Sequence, residues 1–576
     1  MAQQLYFSRD TRMFIQFRPP ATNTEAAANL GAGSVWEIPI LDGYSFSQTT
    51  NTSEITLSEM ESSAGVSRRG GRMFTDSLAP AEWSFSTYIR PFKSKQTTND
   101  TVQRADSAAE VHAVEEALWA AMFGADTYST GTYLWTRATN PAVSGGAVAT
   151  SGTDTLSIGI AESNRSALHS FVIYFLIDTA TSNPLVYRLP ESVVNEASID
   201  FDVDGIAMIN WSGFAKEIQD ISGKVHIQSG APDYDATDQN GTTIAKGNIS
   251  IDTNQGRSFN IVHTVPGSGS ASLTRAIDEA TTSTLNFIRN RLTAVDIEAA
   301  EAADKVSGTF PGSIATVSGL DMTNDVITFG SDHNLKTGDQ VYLSGFNAGT
   351  TGDPGTGAVA LNGQHLFVRV GDQTTTTSGS YEGTGNPTTK ITLFNTKSAA
   401  ELLGNPAGKV VLAGSTAVGG TVANGKYSLT LTGGSFTVGN NITYLVPEEL
   451  GAINKPIEHV TGARTSTGSA TCYLTLEDSD HSSGSSRQFF NDLVGTGAMA
   501  KVVNKFKVTM HIGGSAATGN TTDPALKIEF PTAHITVPTH SIEDVISLET
   551  EFTALPTDFG TADEITALTY YPVDVY

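Results

Sequence analysis

Short apolar runs, rich in β-branched and aromatic residues, recur along the chain between clusters of Gly, Ser, Asn and Asp. Typical runs cover residues 35–40, 83–89 and 171–176. Runs of this length, bounded by turn-forming residues, are typical of short strands rather than helices. The pattern therefore predicts a mainly β protein.

Two stretches of the chain repeat this pattern in the same order and spacing, one before about residue 225 and the other mostly after residue 408. Each copy has an opening strand, a turn, a long irregular loop, a second strand, a helix and three further strands. The matching segments are 35–40 and 427–431, 83–89 and 470–476, 171–176 and 506–510, 185–190 and 526–531, and 206–214 and 545–552. Self-similarity in this order predicts a duplicated domain.

One helix is predicted in each copy, because apolar residues there fall at helical rather than alternating spacing. The residues that mark the two helices are Val111, Val114, Leu118, Trp119 and Met122 in copy one and Phe489, Phe490, Leu493 and Val494 in copy two.

The duplication divides the chain into four parts. These are residues 1–225 for copy one, 226–282 for a connector with hairpins, 283–307 with 408–576 for copy two, and 308–407 for a small all-β module inserted into copy two. The run 287–297 is expected to supply the first strand of copy two. The predicted fold is two tandem β-sandwich or barrel domains, each with a flanking helix, plus the inserted β-domain.

The charge balance argues against several classes of function. The chain has 60 acidic and 34 basic residues and a net charge of −26, the opposite of what gripping DNA requires. The single cysteine, Cys472, rules out an internal disulfide and lies in an apolar run, where we expect it to be buried. No secretory leader and no membrane-spanning apolar run is visible, so we expect assembly in a cytoplasm.

Several segments resemble tail tube proteins of tailed bacteriophages. Residues 46–57 and the Arg-Arg-Gly-Gly-Arg loop at 68–72 are similar to the amino-terminal part of that family, and residues 533–549 to its closing strands. The resemblance implies a structural virion protein, without enzymatic activity, whose sandwich-like domains form rings of six that stack into a tube. Because this chain holds two such domains, a homotrimer would close a pseudo-hexameric ring.

The resemblance also implies partners. They are further copies of the chain for ring closure and stacking, a tape measure protein inside the tube, baseplate or tail-tip and terminator proteins, and, in a contractile tail, a sheath. Genomic DNA would pass through the channel during ejection without tight binding, and neither a cofactor nor a membrane is implied. The expected location is the virion tail, assembled in the host cytoplasm.

Alternating carboxylates mark one candidate surface. Asp200, Asp202 and Asp204 alternate with Ile199, Phe201 and Val203, so that the apolar set is expected to pack while the acidic set faces away; Glu549 and Glu551 alternate similarly in copy two. The acidic face either lines the channel, where it would keep DNA from sticking, or faces outer solvent. The start of this segment resembles a calcium-binding loop, but the twelfth position is Trp211 instead of Glu, which favours a strand.

The long loops of the two copies, residues 59–81 and 446–467, form a second candidate surface. Arg68, Arg69 and Arg72 in the first loop could pair with carboxylates on an adjacent ring. The alternative is a mobile, solvated loop.

No motif for catalysis or metal binding stands out in the sequence. A tail fibre or other receptor-binding or carbohydrate-active virion protein remains the main alternative, because acidic residues are plentiful enough for a glycosidase pair. A head decoration or neck protein is a further structural alternative. The duplication favours the ring-forming tube subunit over both.

Overall fold

The chain folds mainly into antiparallel strands, which confirms the predicted fold class. The computed structural model describes residues 5–8, 11–17, 35–55, 72–93, 111–125, 127–129, 134–136, 149–151, 155–160, 168, 170–177, 185–220, 222, 225–226, 236–237, 243–244, 250–251, 287–299, 317–333, 335, 337, 340–347, 349–353, 359–361, 365–371, 388–395, 400, 409–414, 420–424, 427–429, 431–447, 454–475, 486, 489–490, 493, 506–513, 524–542, 545–556 and 563–572. None of the helices in these ranges is long and apolar enough to cross a membrane.

The strands of copy one are β1 (Arg12–Phe17), β2 (Val35–Ile38), β3 (Ser45–Ser47), β4 (Thr50–Ile55), β5 (Arg72–Leu78), β6 (Ala81–Tyr88), β7 (Pro91–Lys93), β8 (Val111–Ala113), β9 (Thr127–Ser129), β10 (Leu134–Thr136), β11 (Ala149–Ser151), β12 (Leu156–Ile158), β13 (Phe171–Ile177), β14 (Leu185–Asp202), β15 (Met208–Ala215) and β16 (Gln219–Asp220), with helix α1 (Glu116–Met122) after β8.

The strands that follow are β17 (Val225–His226), β18 (Ala236–Thr237), β19 (Thr243–Ile244), β20 (Ser250–Ile251), β21 (Ala294–Ala299), β22 (Val317–Asp321), β23 (Val326–Phe329), β24 (Gln340–Ser344), β25 (Thr351–Asp353), β26 (Val359–Ala360), β27 (His365–Val370), β28 (Lys390–Phe394), β29 (Val411–Ala413), β30 (Thr421–Asn424), β31 (Tyr427–Leu429), β32 (Leu431–Gly439), β33 (Thr443–Leu445), β34 (Glu458–Val460), β35 (Thr465–Tyr473), β36 (Phe506–Ile512), β37 (Ala525–Ile535), β38 (Thr539–Ile542), β39 (Ile546–Ala554) and β40 (Ala567–Tyr571).

One continuous sheet runs through both copies; we call it the inner sheet. Its strand order is β3–β6–β15–β14 in copy one, followed by β32–β35–β39–β38 in copy two, all antiparallel. Apolar and polar residues alternate along these strands, as in β6, where every second residue is buried. One face of the inner sheet is therefore packed and the other is exposed.

A second layer covers the packed face. In copy one it contains β2, β1, β13 and the first half of β14; in copy two it contains β31, β21, β36 and β37. The buried side chains between the layers form a single cluster that includes Trp83, Trp119 and Trp211 from copy one and Phe436 and Phe530 from copy two. The two copies therefore share one core.

The strands of copy two pair in the same order as those of copy one. The correspondence includes an irregularity: Phe171 faces Ser192 in copy one, Phe506 faces Ala533 in copy two, and in both pairs the register shifts at the next partner. The corresponding strands are β1 and β21, β2 and β31, β3 and β32, β6 and β35, β13 and β36, β14 and β37, and β15 and β39.

Residues 317–424 form sheets of their own. Six strands pair in the order β22–β23–β28–β27–β24–β30, and β26–β25–β29 form a second, smaller sheet. Their buried side chains make a cluster separate from the shared core, with Val341, Leu343, Leu361 and Val368 fully buried.

Several local expectations need correction. Helix α1 begins at Glu116, because Val111 lies in strand β8, where it pairs with β7. The loop 59–81 is not irregular throughout, since β5 pairs with β4 to form a hairpin. In copy two, residues 290–292 form a 3-10 turn, and the strand begins only at Ala294. Phe489, Phe490 and Leu493 are helical, while Val494 lies outside the described residues.

Candidate assembly surfaces

The carboxylates at the end of strand β14 lie on the exposed face of the inner sheet, as the alternation predicts. Asp200 and Asp202 are exposed, whereas Ile199 and Phe201 between them are buried. Val203 does not pack as expected: it is 44% exposed, because β14 ends at Asp202 and the alternation ends with it. The segment is the end of a strand followed by a turn into β15, and not a loop between two helices.

Asp200 and Glu551 lie in one row of facing residues that crosses the junction between the copies. Asp200 faces Ser435, Ser435 faces Ser469, and Ser469 faces Glu551. Facing residues of antiparallel neighbours project to the same side of a sheet. The hydroxyls of Ser435 and Ser469 are 2.9 Å apart and hydrogen-bonded, so the row is filled by small polar groups between its carboxylates.

Asp202 and Glu549 lie in the neighbouring row on the same face. Asp202 faces Gly433, Gly433 faces Thr471, and Thr471 faces Glu549. Asp204 follows in the turn beyond β14 and is also exposed. The structure thus brings together, on one face, carboxylates from two copies that are separated by more than three hundred residues in sequence.

The same face carries no lysine or arginine in the rows described; a histidine, His534, faces Thr553 at the end of the next row. The rows next to those of Asp200 hold Ser, Thr, Gly and the exposed Glu196, and none of these positions is Lys or Arg. Opposing charges that could neutralise the carboxylates are therefore missing from these rows. The surface can repel polyanions, and it has no group that would bind a phosphate tightly.

The junction between the copies is made by β14 and β32. Beyond the strand pairing, the buried Asn440 side chain donates to the carbonyl oxygens of Met122 and Val194, each at 3.2 Å. The side chain of Asn195 accepts the backbone N–H of Ile442 at 2.8 Å. Such side-chain bonds satisfy backbone groups where regular pairing ends.

Two strand edges of the inner sheet are open. Among the described strands, β3 pairs with β6 alone and β38 pairs with β39 alone. Unpaired edges are templates for pairing with another chain. These edges lie at opposite ends of the inner sheet, one in each copy.

The hairpins β4–β5 and β33–β34 leave the inner sheet at the same rim. In copy one, β5 exposes Met73 and Phe74, which are 67% and 55% accessible. The two hairpins touch within the chain, because the N–H of Leu78 donates to the carbonyl of Asn454 at 2.8 Å. Arg68 and Arg69 lie outside the described residues; Arg72 is the first residue of β5 and faces Ile55.

The opposite rim of the inner sheet is apolar in both copies. Exposed apolar side chains there are Val203, Ile206 and Met208 in copy one and Tyr473, Val545 and Ile546 in copy two. Ile206 and Val545 occupy corresponding positions. Ile206 lies two residues before Met208, which faces Tyr88, and Val545 lies two residues before Ser547, which faces Tyr473. Sequence reasoning missed this rim, although apolar residues at two matched strand ends were a readable signal.

Comparison with known proteins identifies a relative. Over 141 residues, which is 24% of this chain and 28% of the other, the chain is 38% identical to the tail tube protein pb6 of Escherichia phage T5. The matched part thus spans little more than a quarter of that relative's length. No family model matches the chain. This relationship confirms the resemblance seen in the sequence: over the matched residues, the chain is similar to a phage tail tube protein.

Proposed function

We propose that this chain is a structural subunit of a phage tail tube, in which three chains close a pseudo-hexameric ring and rings stack around an acidic channel. The observation that carries the proposal is the intrachain junction, where β14 of copy one pairs with β32 of copy two. When the two copies of a repeated unit pair through one strand edge of each, the other edge of each copy stays open. Here the open edges are β3 in copy one and β38 in copy two, which correspond to the two strands that pair at the junction. Those edges can be satisfied only by further copies of the chain.

The intrachain junction predicts the register between chains. Ser45 takes the place of Ser435, since each faces the corresponding serine, Ser84 or Ser469, on the next strand. Ser541 takes the place of Asp200, because Asp200 faces Met208 and Ser541 faces Ser547, its counterpart. Since Asp200 faces Ser435 within the chain, Ser541 of one chain should face Ser45 of the next.

Three chains would give a barrel wide enough to hold duplex DNA. Each chain contributes eight strands to the inner sheet, so a trimer would close about 24 strands; at a spacing of about 4.8 Å, the barrel is at least about 35 Å across between backbones. A ring of two chains would be a third narrower. The wider ring leaves room for duplex DNA inside inward-facing side chains.

The rows that contain Asp200, Asp202, Glu549 and Glu551 would line the channel, and Asp204 would lie at the rim of the channel. The alternative, an outer solvated location, is disfavoured because the other face of the inner sheet is covered by the second layer, so that in a closed barrel the uncovered face points inward. Like charges would keep DNA from stalling as it passes.

Ring stacking would join the hairpin rim of one ring to the apolar rim of the next. The exposed Met73 and Phe74 would pack against Ile206 and Val545, and Arg68, Arg69 and Arg72 would meet the rim carboxylates Asp202 and Asp204. Because the two rims differ, the contact is heterologous and continues as an open stack.

The remaining partners follow from this role. A tape measure protein would occupy the channel during assembly, and terminator and baseplate or tail-tip proteins would cap the two ends of the tube; a contractile tail would add a sheath. The domain limits 1–225, 226–282, 308–407, and 283–307 with 408–576 are proposed with one change: the inserted module is extended to residue 424, because β29 and β30 pair with its strands.

Paired cysteines test ring closure. Ser45→Cys combined with Ser541→Cys should form disulfides between chains on mild oxidation of assembled tubes, ending at a covalent trimer on non-reducing gels. Cys472 will not interfere, because it is buried and burial raises the pKa of its thiol to about 11.

The matched control is Ser45→Cys with Thr553→Cys, which places the second thiol on an interior strand, where it should not cross-link. Assembled tubes of the Ser45→Cys, Ser541→Cys variant without cross-links between the two introduced thiols would overturn the proposed register. A ladder that ends at any other number of chains would overturn the trimer.

A further inference from the structure

The last strand of the chain fastens the two copies together. Strand β40 pairs on one side with β37 of copy two and on the other with β12 of copy one, where Leu156 faces Tyr570. We call β40 and the buried polar side chains beside it the clasp. Its counterpart in copy one, β16, has only two residues and pairs with β14 alone among the described strands, so the clasp exists once per chain.

The clasp has a specific polar attachment to helix α1. The indole N–H of Trp119 donates to the hydroxyl of Tyr570 at 2.8 Å, between side chains that are both fully buried. The two residues are 451 positions apart in the sequence. A buried hydrogen bond of this kind fixes the position of the strand against the helix.

Beside this bond lies a fully buried carboxyl group, Glu115, directly before α1. Neither of its oxygens makes a hydrogen bond of ordinary geometry to a described residue. The Tyr570 hydroxyl, the backbone N–H groups of Arg90 and Glu115, and the guanidinium of Arg90 nevertheless lie near this carboxyl and partly offset the cost of a charge there. The effect of burial is larger, so an ionised carboxylate at this position is costly.

The charged and titratable groups around Glu115 come from each neighbouring element. Tyr570 comes from β40, Arg90 from the segment after β6, and Glu116 from α1 itself; Glu116 is in turn bound to His112 of β8 at 3.0 Å. Burial raises the pKa of Glu115 to about 7, partly opposed by the Tyr570 hydroxyl and by the backbone N–H groups of Glu115 and Arg90. Burial lowers the pKa of Arg90 to about 10, against the effect of Glu115.

We propose that the clasp is controlled by a proton on Glu115: β40 stays seated between the copies while this carboxyl is neutral, and its ionisation loosens the strand. Between about pH 4.5 and pH 7 the proton leaves to solvent when the clasp opens, and above about pH 7 it has already left the closed state. This inference concerns the single chain and does not depend on ring formation.

The direction of the pH dependence follows from the linkage between proton binding and opening of the clasp. The folded chain holds its proton up to about pH 7, whereas exposed Glu115 loses it near its ordinary value of 4.5. Between these values the closed state binds more protons than the open state, so stability of the clasp falls as pH rises and levels off above about pH 7. Below about 4.5 both states are protonated and the full stability is present.

Glu115→Gln tests the proposal, because glutamine has nearly the same shape and never ionises. Hydrogen exchange of residues 567–571 in the purified single chain, corrected for intrinsic exchange, should show at least tenfold more opening at about pH 8.5 than at about pH 5.5 in the wild type. In Glu115→Gln the ratio should be close to one. Glu551→Gln, an exposed carboxyl on the same chain, should behave like wild type.

Infrared spectroscopy of the unmodified chain supplies a second test that needs no variant. A carbonyl band of a neutral carboxyl should be present at about pH 6 and lost by about pH 8.5. Opening that does not change with pH, an equal pH dependence in Glu115→Gln, or absence of the neutral band at about pH 6 would each overturn the proposal.

Discussion

The indole of Trp83 lies against Gly213 on the neighbouring strand, with no room for a side chain between them. A Cβ atom at Gly213 would come within 2.4 Å of the indole Cζ2 and 2.1 Å of the Val193 carbonyl oxygen. Copy two reverses the sizes: Gly468 stands where copy one has Trp83, and Phe552 stands where it has Gly213. Each copy therefore fills the same position in its core from the opposite strand.

Replacing Gly213 should destabilise the fold. Gly213→Ala forces the Trp83 ring and the β14 backbone apart, and we expect the free energy of unfolding to fall by about 3 kcal/mol, the upper range for overpacking. Chemical denaturation measures the change. Gly319→Ala is the control, because its nearest contact would be an ordinary 3.7 Å, and it should change stability by less than about 0.5 kcal/mol. Equal effects of the two changes would contradict the packing argument.

Replacing Asn440 should lower the free energy of unfolding more than replacing an exposed asparagine would. Asn440→Ala removes the donor to the carbonyls of Met122 and Val194 at the junction of the copies, and we expect a loss of about 1–3 kcal/mol in the free energy of unfolding. Asn51→Ala, which removes an exposed bond to Ser77, serves as the comparison and should have little effect. A neutral Asn440→Ala would show that the junction does not depend on these bonds.

Neutralising the acidic rows should alter DNA passage without altering the fold. With Asp200→Asn, Asp202→Asn, Glu549→Gln and Glu551→Gln combined, the exposed positions should leave the free energy of unfolding within about 0.5 kcal/mol per site. Tubes should still form, but DNA should be retained and ejection slowed, as measured by dye release from virions. The exposed Asp332→Asn, in the inserted module, is the control. Unchanged ejection would argue against a channel location.

Polar substitution of the β4–β5 hairpin should separate ring closure from stacking. Met73→Ser with Phe74→Ser removes exposed apolar side chains, so the chain should fold normally while negative-stain microscopy shows single rings in place of long tubes. Val411→Ser, at a 52% exposed site in the inserted module, should leave tubes intact. Long tubes from the double variant would mean that stacking uses another surface.

Charge reversal tests the arginine loop separately. Arg68→Glu, Arg69→Glu and Arg72→Glu together should shorten tubes, and the defect should deepen at low salt, because repulsion from rim carboxylates is then less screened. Tube length distributions at two ionic strengths provide the measurement. Normal tubes at both would contradict pairing between these arginines and an adjacent ring.

The local features of this protein could be predicted from its amino-acid order. Period-two alternation showed that the chain is mainly β and that Ile199 and Phe201 pack while Asp200 and Asp202 do not. Order and spacing of the apolar runs predicted the two copies, because each run keeps its strand character whatever it pairs with. The helix at 116–122 was predicted in the right place but with too early a start, because an apolar residue such as Val111 fits the pattern of a strand as well as that of a helix.

Which strands meet became clear only in the folded chain. The pairing of Asp200 with Ser435, the position of Tyr570 beside Trp119, and the burial of Glu115 join residues that are hundreds of positions apart. No short-range pattern encodes them, because strand pairing depends on which edges remain open after the rest of the core has packed. The two copies resemble each other in sequence order, but their shared sheet arises only in three dimensions.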